Sequence, residues 1–181
     1  VEEAQMPQLQ RDVVAYLRNG NVLVHVEEEE QLRIFDALKQ QTIQILDEPM
    51  EWQQAIHKAS EPLLHRAIIK KSYVQAMIDL LYDYGPYIVL ANGVAIAHAN
   101  PEQGANALGL SLLINKQSIT FEDDANVHFL FVLSNPDQDK HLHLLRDIMR
   151  LANDTALVDQ LLKMDDTLAV LEGLKKLSNM Q

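Results

Sequence analysis

The stretch Val127-His128-Phe129-Leu130-Phe131-Val132-Leu133 constrains this chain more than any other. Successive side chains of a strand point to opposite faces of its sheet, so a strand with one wet face alternates apolar and polar residues. A strand that is apolar at nearly every position must be covered on both sides. The run therefore predicts a central strand, and the helical patterns before and after it supply the two covering layers. The expected fold class is α/β, in the mixed α+β sense: a three-layer α/β/α sandwich around a mixed central sheet of four or five strands.

The elements around that strand follow from periodicity and punctuation. Residues 1 to 18 carry a helical pattern (Leu9, Val13, Val14, Leu17) that stops at Asn19-Gly20-Asn21, and Val22 to Val26 reads as a short strand. Glu27 to Glu30 read as the solvated N-terminus of a helix continued by Leu32, Phe35 and Leu38. Residues 1 to 40 are expected to form an appended segment or linker, with residues 41 to 181 as the main domain. Within that domain Thr42 to Leu46 is a predicted strand, and Asp47-Glu48-Pro49 opens a predicted helix carrying Trp52, Ile56 and Ala59 on one face. A separate helix is expected from Pro62 to about Lys70, and another, capped by Ser72, runs from Tyr73 to Tyr84 and ends at Gly85-Pro86. Tyr87 to Ala91 and Val94 to Ala99 flank Asn92-Gly93, a hairpin signal. Leu108 to Ile114 adds a strand. Helices are expected near 138 to 152, 155 to 163 and 166 to 178, the last two opened by Asp154-Thr155 and Asp165-Asp166-Thr167.

Composition narrows the chemistry. The formal net charge of -11 over 181 residues disfavours direct nucleic-acid binding, which needs clustered Lys and Arg; the only double-basic steps are Lys70-Lys71 and Lys175-Lys176. No apolar run reaches the roughly 18 to 20 residues that span a bilayer, and the N-terminus lacks a signal-peptide arrangement, so a cytoplasmic location without membrane insertion is expected. The absence of cysteine excludes disulfides, thiolate catalysis and sulfur-ligated metal centres, leaving His, Asp, Glu, Ser and Lys. The chain begins with Val, which reads as a processed chain or a piece of something longer, and the second is favoured.

Seven histidines remain to be sorted. His57 and His65 sit in helices beside charged neighbours and read as solvated or partly packed. His25 and His128 lie in apolar strands, where a hydrogen-bonded structural histidine is the ordinary explanation. His98 ends a strand of small residues, Ala95-Ile96-Ala97, where backbone can be approached closely; that suits a reacting group, and equally suits a strand-end histidine bonded to a loop carbonyl. His141 falls in the first turn of a helix and shares a face with Leu144, Leu145 and Ile148, which turns it toward the sheet. His143 projects roughly 200° away by the 3.6-residue period, toward solvent. Two histidines two apart on a helix diverge, so the His-Leu-His step is a poor metal clamp and a metal site is a weak reading. His98 and His141, brought to one end of the sheet, suit phosphoryl carriage, because a neutral imidazole is nucleophilic near pH 7 and a second one orients it or donates to a phosphoryl oxygen.

Four blocks in consistent order carry a family resemblance: Ser72-Tyr73-Val74-Gln75-Ala76-Met77-Ile78; Tyr84-Gly85-Pro86-Tyr87-Ile88-Val89; Gly93 to Gly104, which reads GVAIAHANPEQG; and Asp139 to Leu145, which reads DKHLHLL. Over residues 41 to 175 the chain resembles the enzyme IIA domains of the bacterial phosphoenolpyruvate-dependent sugar phosphotransferase system, most of all the ascorbate branch of the mannitol/fructose superfamily. That branch carries GPYIV, then G-x-A-[IL]-P-H-[AG]-x-P-E-x-G, then H-[LI]-x-x-L. The resemblance implies that residues 41 to 181 form a phosphoryl-acceptor domain. In it His98 takes a phosphoryl group from the phosphocarrier protein HPr and passes it to an enzyme IIB domain, His141 is the supporting histidine, and no metal or organic cofactor is expected. Two positions depart from the pattern: Ala97 stands where proline is usual, and Asn100 where an arginine follows HA. The same domain type also occurs as a module of antiterminator-type transcriptional regulators, whose other domains would then be partners. The non-Met start, residues 1 to 40 and the two departures lean toward that context. An interaction module of the same fold that is not phosphorylated is the alternative, and the presence of both His98 and His141 argues against it.

Overall fold

The computed structural model describes residues 33–85, 88–121, 126–137 and 141–175. The readings for residues 1 to 32, including His25 and the four glutamates, lie outside the described residues. The chain runs α1 (Ile34–Ala37), β1 (Leu38–Leu46), β2 (Met50–Glu51), α2 (Trp52–His65), α3 (Lys71–Tyr84), β3 (Val94–Ala97), a 3-10 turn (Pro101–Gln103), β4 (Gly109–Thr120), β5 (Asn126–Ser134), α4 (Leu142–Asn153), α5 (Thr155–Leu162) and α6 (Thr167–Leu174).

The five strands form one mixed sheet in the order β1-β4-β5-β3, with β2 also on β4. β4 and β5 are antiparallel, β1 and β2 run parallel to β4, and β3 runs parallel to β5. β5, the apolar run, is flanked by strands on both sides as expected. From Phe129 onward its residues alternate strictly by face, while Val127 lies beyond an irregularity in the pairing with β4. Phe129, Phe131 and Leu133 join one core cluster with α1, α4, α5 and α6, while Val127, Leu130 and Val132 join a second with α2 and α3. Two buried clusters on opposite faces of one sheet make the three-layer sandwich.

Several element boundaries differ from the sequence expectation for identifiable reasons. The helix signalled by Asp47-Glu48-Pro49 begins only at Trp52, because Met50 and Glu51 first pair with Ile119 and Thr120. Pro62 does not start a new helix but lies inside α2. A proline there leaves the carbonyl four residues back without its helical partner. That carbonyl belongs to Lys58, and the Gln44 side chain donates to it at 2.7 Å. Leu38, placed on a helix by its spacing, opens β1, and Ile34, Ala37 and Leu38 are all buried in the core. Asn92 and Gly93 both have positive φ, 53° and 76°, as a tight hairpin turn of the I′ kind demands. The strand before them is reduced to a single bridge, Val89 to Ala95. The Asp154 and Asp166 side chains accept from the Leu157 and Leu168 N–H groups, capping α5 and α6 as their sequence context indicated.

Candidate functional site

The site lies at the C-terminal ends of β3 and β5. β3 alternates Val94 and Ile96 toward the α4 face with Ala95 and Ala97 toward the α2–α3 face. His98 follows directly and is only 5% exposed. Among the described residues, neither of its ring nitrogens meets a partner in hydrogen-bond geometry. Burial pushes its pKa down to about 4; the nearby Ile96 carbonyl works in the opposite direction, and the His141 ring adds a smaller depressing effect. Burial outweighs the Ile96 carbonyl, so the imidazole stays neutral, with a free lone pair, at physiological pH.

His141 is the N-cap of α4, is likewise 5% exposed, and its carbonyl accepts from the Leu145 N–H at 2.8 Å. The two histidines singled out by sequence are thus brought near enough for the charge of one to disfavour the charge of the other. The N-terminus of α4, a helix of 12 residues, adds backbone donors beside them.

The loop after His98 is pinned to the start of α3. Ser72 Oγ donates to the Gln103 carbonyl at 2.5 Å, and the Lys70 N–H donates to the Gly104 carbonyl at 2.9 Å. Gly104 is required in this contact: its φ is +135°, and a Cβ there would lie 2.8 Å from Ser72 Oγ. Ser72, expected as a cap, therefore serves as a clasp, and Lys70 takes the N-cap position. A groove of about 440 Å³ opens between α3 and this loop, lined in part by Gln75, Asp79, Asp83, Ala99, Asn100 and Gln103, with two carboxylates and no Lys or Arg among the described residues of its walls.

Among the described residues the other histidines do not join the site. His57 and His65 are exposed. His128 pairs through Nδ1 with the Asn115 carbonyl at 2.9 Å, the structural role expected of a strand histidine. His143, expected in solvent, is half-buried beside a cluster of arginines; burial first, then the charges of Arg146 and Arg33, push its pKa down. Among the described residues no group of three or more His, Asp or Glu is arranged to hold a metal ion.

One residue of the site was not foreseen as such. Tyr73, read as part of a helix and of a resemblance block but given no role, is 1% exposed, and its hydroxyl donates to the Leu133 carbonyl at 2.6 Å while accepting from the Ala99 N–H at 3.0 Å. The signal available in sequence was an aromatic hydroxyl in the first turn of an otherwise apolar helix face, since a buried tyrosine needs a partner for its O–H.

Residues 36–177 match the family model described as phosphoenolpyruvate-dependent sugar phosphotransferase system, EIIA 2. The chain is 33% identical over 132 residues to the mannitol-specific cryptic phosphotransferase enzyme IIA component of Escherichia coli, a match covering 72% of this chain and 90% of that protein. It is 30% identical over 134 residues to the ascorbate-specific EIIA component of Salmonella choleraesuis, covering 72% of this chain and 87% of the relative. The solution structure of the Escherichia coli mannitol-specific cryptic enzyme IIA superposes with a TM-score of 0.69 at 29% identity, over 80% of this chain and 99% of that one. A family match over most of the chain and a 33% identical relative covered over 90% of its length show that the chain belongs to the EIIA 2 family of the phosphoenolpyruvate-dependent sugar phosphotransferase system.

Proposed function

We propose that His98 accepts a phosphoryl group from HPr and passes it to an enzyme IIB domain, with His141 as the supporting histidine. The observation that carries this reading is the buried, neutral His98 ring with both nitrogens unpartnered at a sheet end, next to a second imidazole. The lone pair of one His98 nitrogen forms the new N–P bond as the donor's N–P bond breaks. The donor imidazole leaves with the electron pair of the broken bond, so one histidine exchanges for another with no net change in protons. Family membership supports HPr and IIB as donor and acceptor. The reading puts the domain in the cytoplasm, where such carriers meet.

The phosphoryl group adds roughly 1.5 to 2 negative charges at neutral pH. His141 and the N–H groups opening α4 are the donors available to receive it. With Asn100 exposed in place of an arginine, this carrier depends on them more heavily.

The test is incubation with enzyme I, HPr and labelled phosphoenolpyruvate. Acid-labile label on the intact protein, lost in His98→Gln, is the expected result, and an intact protein that takes no label overturns the reading. In His141→Gln the label should form slowly or remain on His98 when IIB is added; unchanged transfer in both directions removes His141 from the mechanism.

A further inference from the structure

We propose that Tyr73 is a positioning residue for His98: its hydroxyl is inserted as a rung between β5 and the strand that carries the histidine, and this insertion sets where the ring stands. The proposal rests on His98 being the phosphoryl acceptor and adds a residue that acts on it without touching the phosphoryl group.

The register of the sheet makes the insertion visible. β3 and β5 pair in parallel from Val94 with Phe129 to Ala97 with Val132. In a parallel ladder, alternate residues of one strand direct their N–H groups at the neighbour. The Ile96 N–H goes the other way, to the Ile88 carbonyl at 3.1 Å, so the N–H groups of Ala97 and Ala99 are the ones facing β5. The next ladder bond beyond Ala97 would run from the Ala99 N–H to the Leu133 carbonyl. Those are the two groups that Tyr73 holds: its hydroxyl accepts from Ala99 N at 3.0 Å and donates to Leu133 O at 2.6 Å. The hydroxyl thus replaces a direct backbone bond with a two-bond relay and widens the ladder around His98, whose neighbour Ala99 is held by it.

The relay is well suited to holding a position. Tyr73 is 1% exposed, and burial pushes its phenol above its ordinary pKa, so it keeps the proton it must donate. The start of α3 is itself clasped to the Asn100–Gly104 loop through Ser72 and Lys70, so the hydroxyl cannot drift from the strand it separates. A phenylalanine would fill the same volume and supply neither bond, so the role belongs to the oxygen.

The experiment is Tyr73→Phe. Without the oxygen the ladder closes or the Ala99 backbone shifts, and the His98 ring moves. Because misplacing a reacting group by about an ångström lowers rates on the order of a hundredfold, phosphoryl acceptance at saturating HPr should fall between about ten- and a hundredfold, with the half-saturating HPr concentration unchanged. The His98 ring resonances and their pH titration midpoint should shift in the same variant. A folded Tyr73→Phe protein with wild-type rate and an unaltered His98 titration overturns the proposal. Should that variant fail to fold, the unsubstituted protein carries the test: the Ala99 amide resonance must follow the His98 titration, and an Ala99 amide that ignores it overturns the proposal. If the unsubstituted protein accepts no phosphoryl group, the reading of His98 as acceptor fails by itself, while the ring and amide resonances still decide whether Tyr73 places His98.

Discussion

Arg33 donates from Nε and Nη2 to the two carboxylate oxygens of Asp147, at 2.8 and 2.9 Å, and the neighbouring Ile34 N–H adds a third bond to the same carboxylate at 3.2 Å. Asp147 is fully buried in α4, the helix that begins at His141. Arg33 and Ile34, at the start of α1, are therefore tied through a single buried carboxylate to the helix that follows His141.

Removing the guanidinium should be costly, because it leaves a buried charge with only one remaining donor. Breaking a buried pair typically costs 3–5 kcal/mol, and since the Arg33 side chain is 36% exposed the expectation here is about 2 kcal/mol. Urea denaturation of Arg33→Ala at pH 7 measures it. Arg33→Lys should recover only part of the loss, since an ammonium cannot reproduce the two-point fork. A midpoint unchanged in Arg33→Ala would show that the pair contributes nothing to stability.

The neutral His98 ring gives a pH dependence with a definite sign. The unfolded chain protonates this histidine near pH 6.5, and the folded protein only near 4. Between those values the unfolded state binds more protons, so acidification favours unfolding. The stability associated with the buried ring is complete above pH 6.5 and is lost as pH falls toward 4, amounting to on the order of 3 kcal/mol. Unfolding free energies from pH 7 to 4 should fall more steeply for the intact protein than for His98→Gln. Parallel curves would place the His98 titration near its ordinary value.

The loop beside His98 depends on Gly104. Alanine there would have to hold a φ of +135° and push against Ser72 Oγ, the Lys70 Cβ and the Tyr73 N–H. Unusual backbone of this sort costs about 1–3 kcal/mol. Thermal unfolding of Gly104→Ala should show that loss, and exchange of the Lys70 and Tyr73 amides should accelerate with it as the clasp between loop and α3 loosens. Wild-type stability would mean that the loop can relocate freely.

What the sequence disclosed and what it hid differ in range along the chain. The double coverage of β5, the I′ turn at Asn92-Gly93, the Asp154 and Asp166 caps and the strand-end position of His98 are local, each set by a few adjacent residues. Pro62 misled because its consequence is settled by Gln44, a side chain on another element that satisfies the Lys58 carbonyl. The Arg33–Asp147 pair and the Tyr73 relay join residues far apart in sequence, and no periodicity marks either of them. The candidate site was legible as two histidines; the contacts around them come from tertiary structure.

The resemblance drawn from sequence leads one to expect proline at Ala97, and the fold gives alanine there a consequence. Ala97 is buried, pairs with Val132, and by the alternation of β3 directs its N–H at β5, since the Ile96 N–H faces Ile88. Proline would delete that donor and leave a buried acceptor on β5 without its partner, a loss of about 1–3 kcal/mol. Stiffening the approach to His98 does not offset it, because the position is already held by the ladder below and by Tyr73 above. Ala97→Pro should therefore lower the urea midpoint and free the His98 end of β3 from β5, visible as faster exchange of the Leu133 amide. A variant as stable as the parent, with Leu133 still protected, would show that β3 does not need the Ala97 donor and that proline and alanine are interchangeable at this strand end.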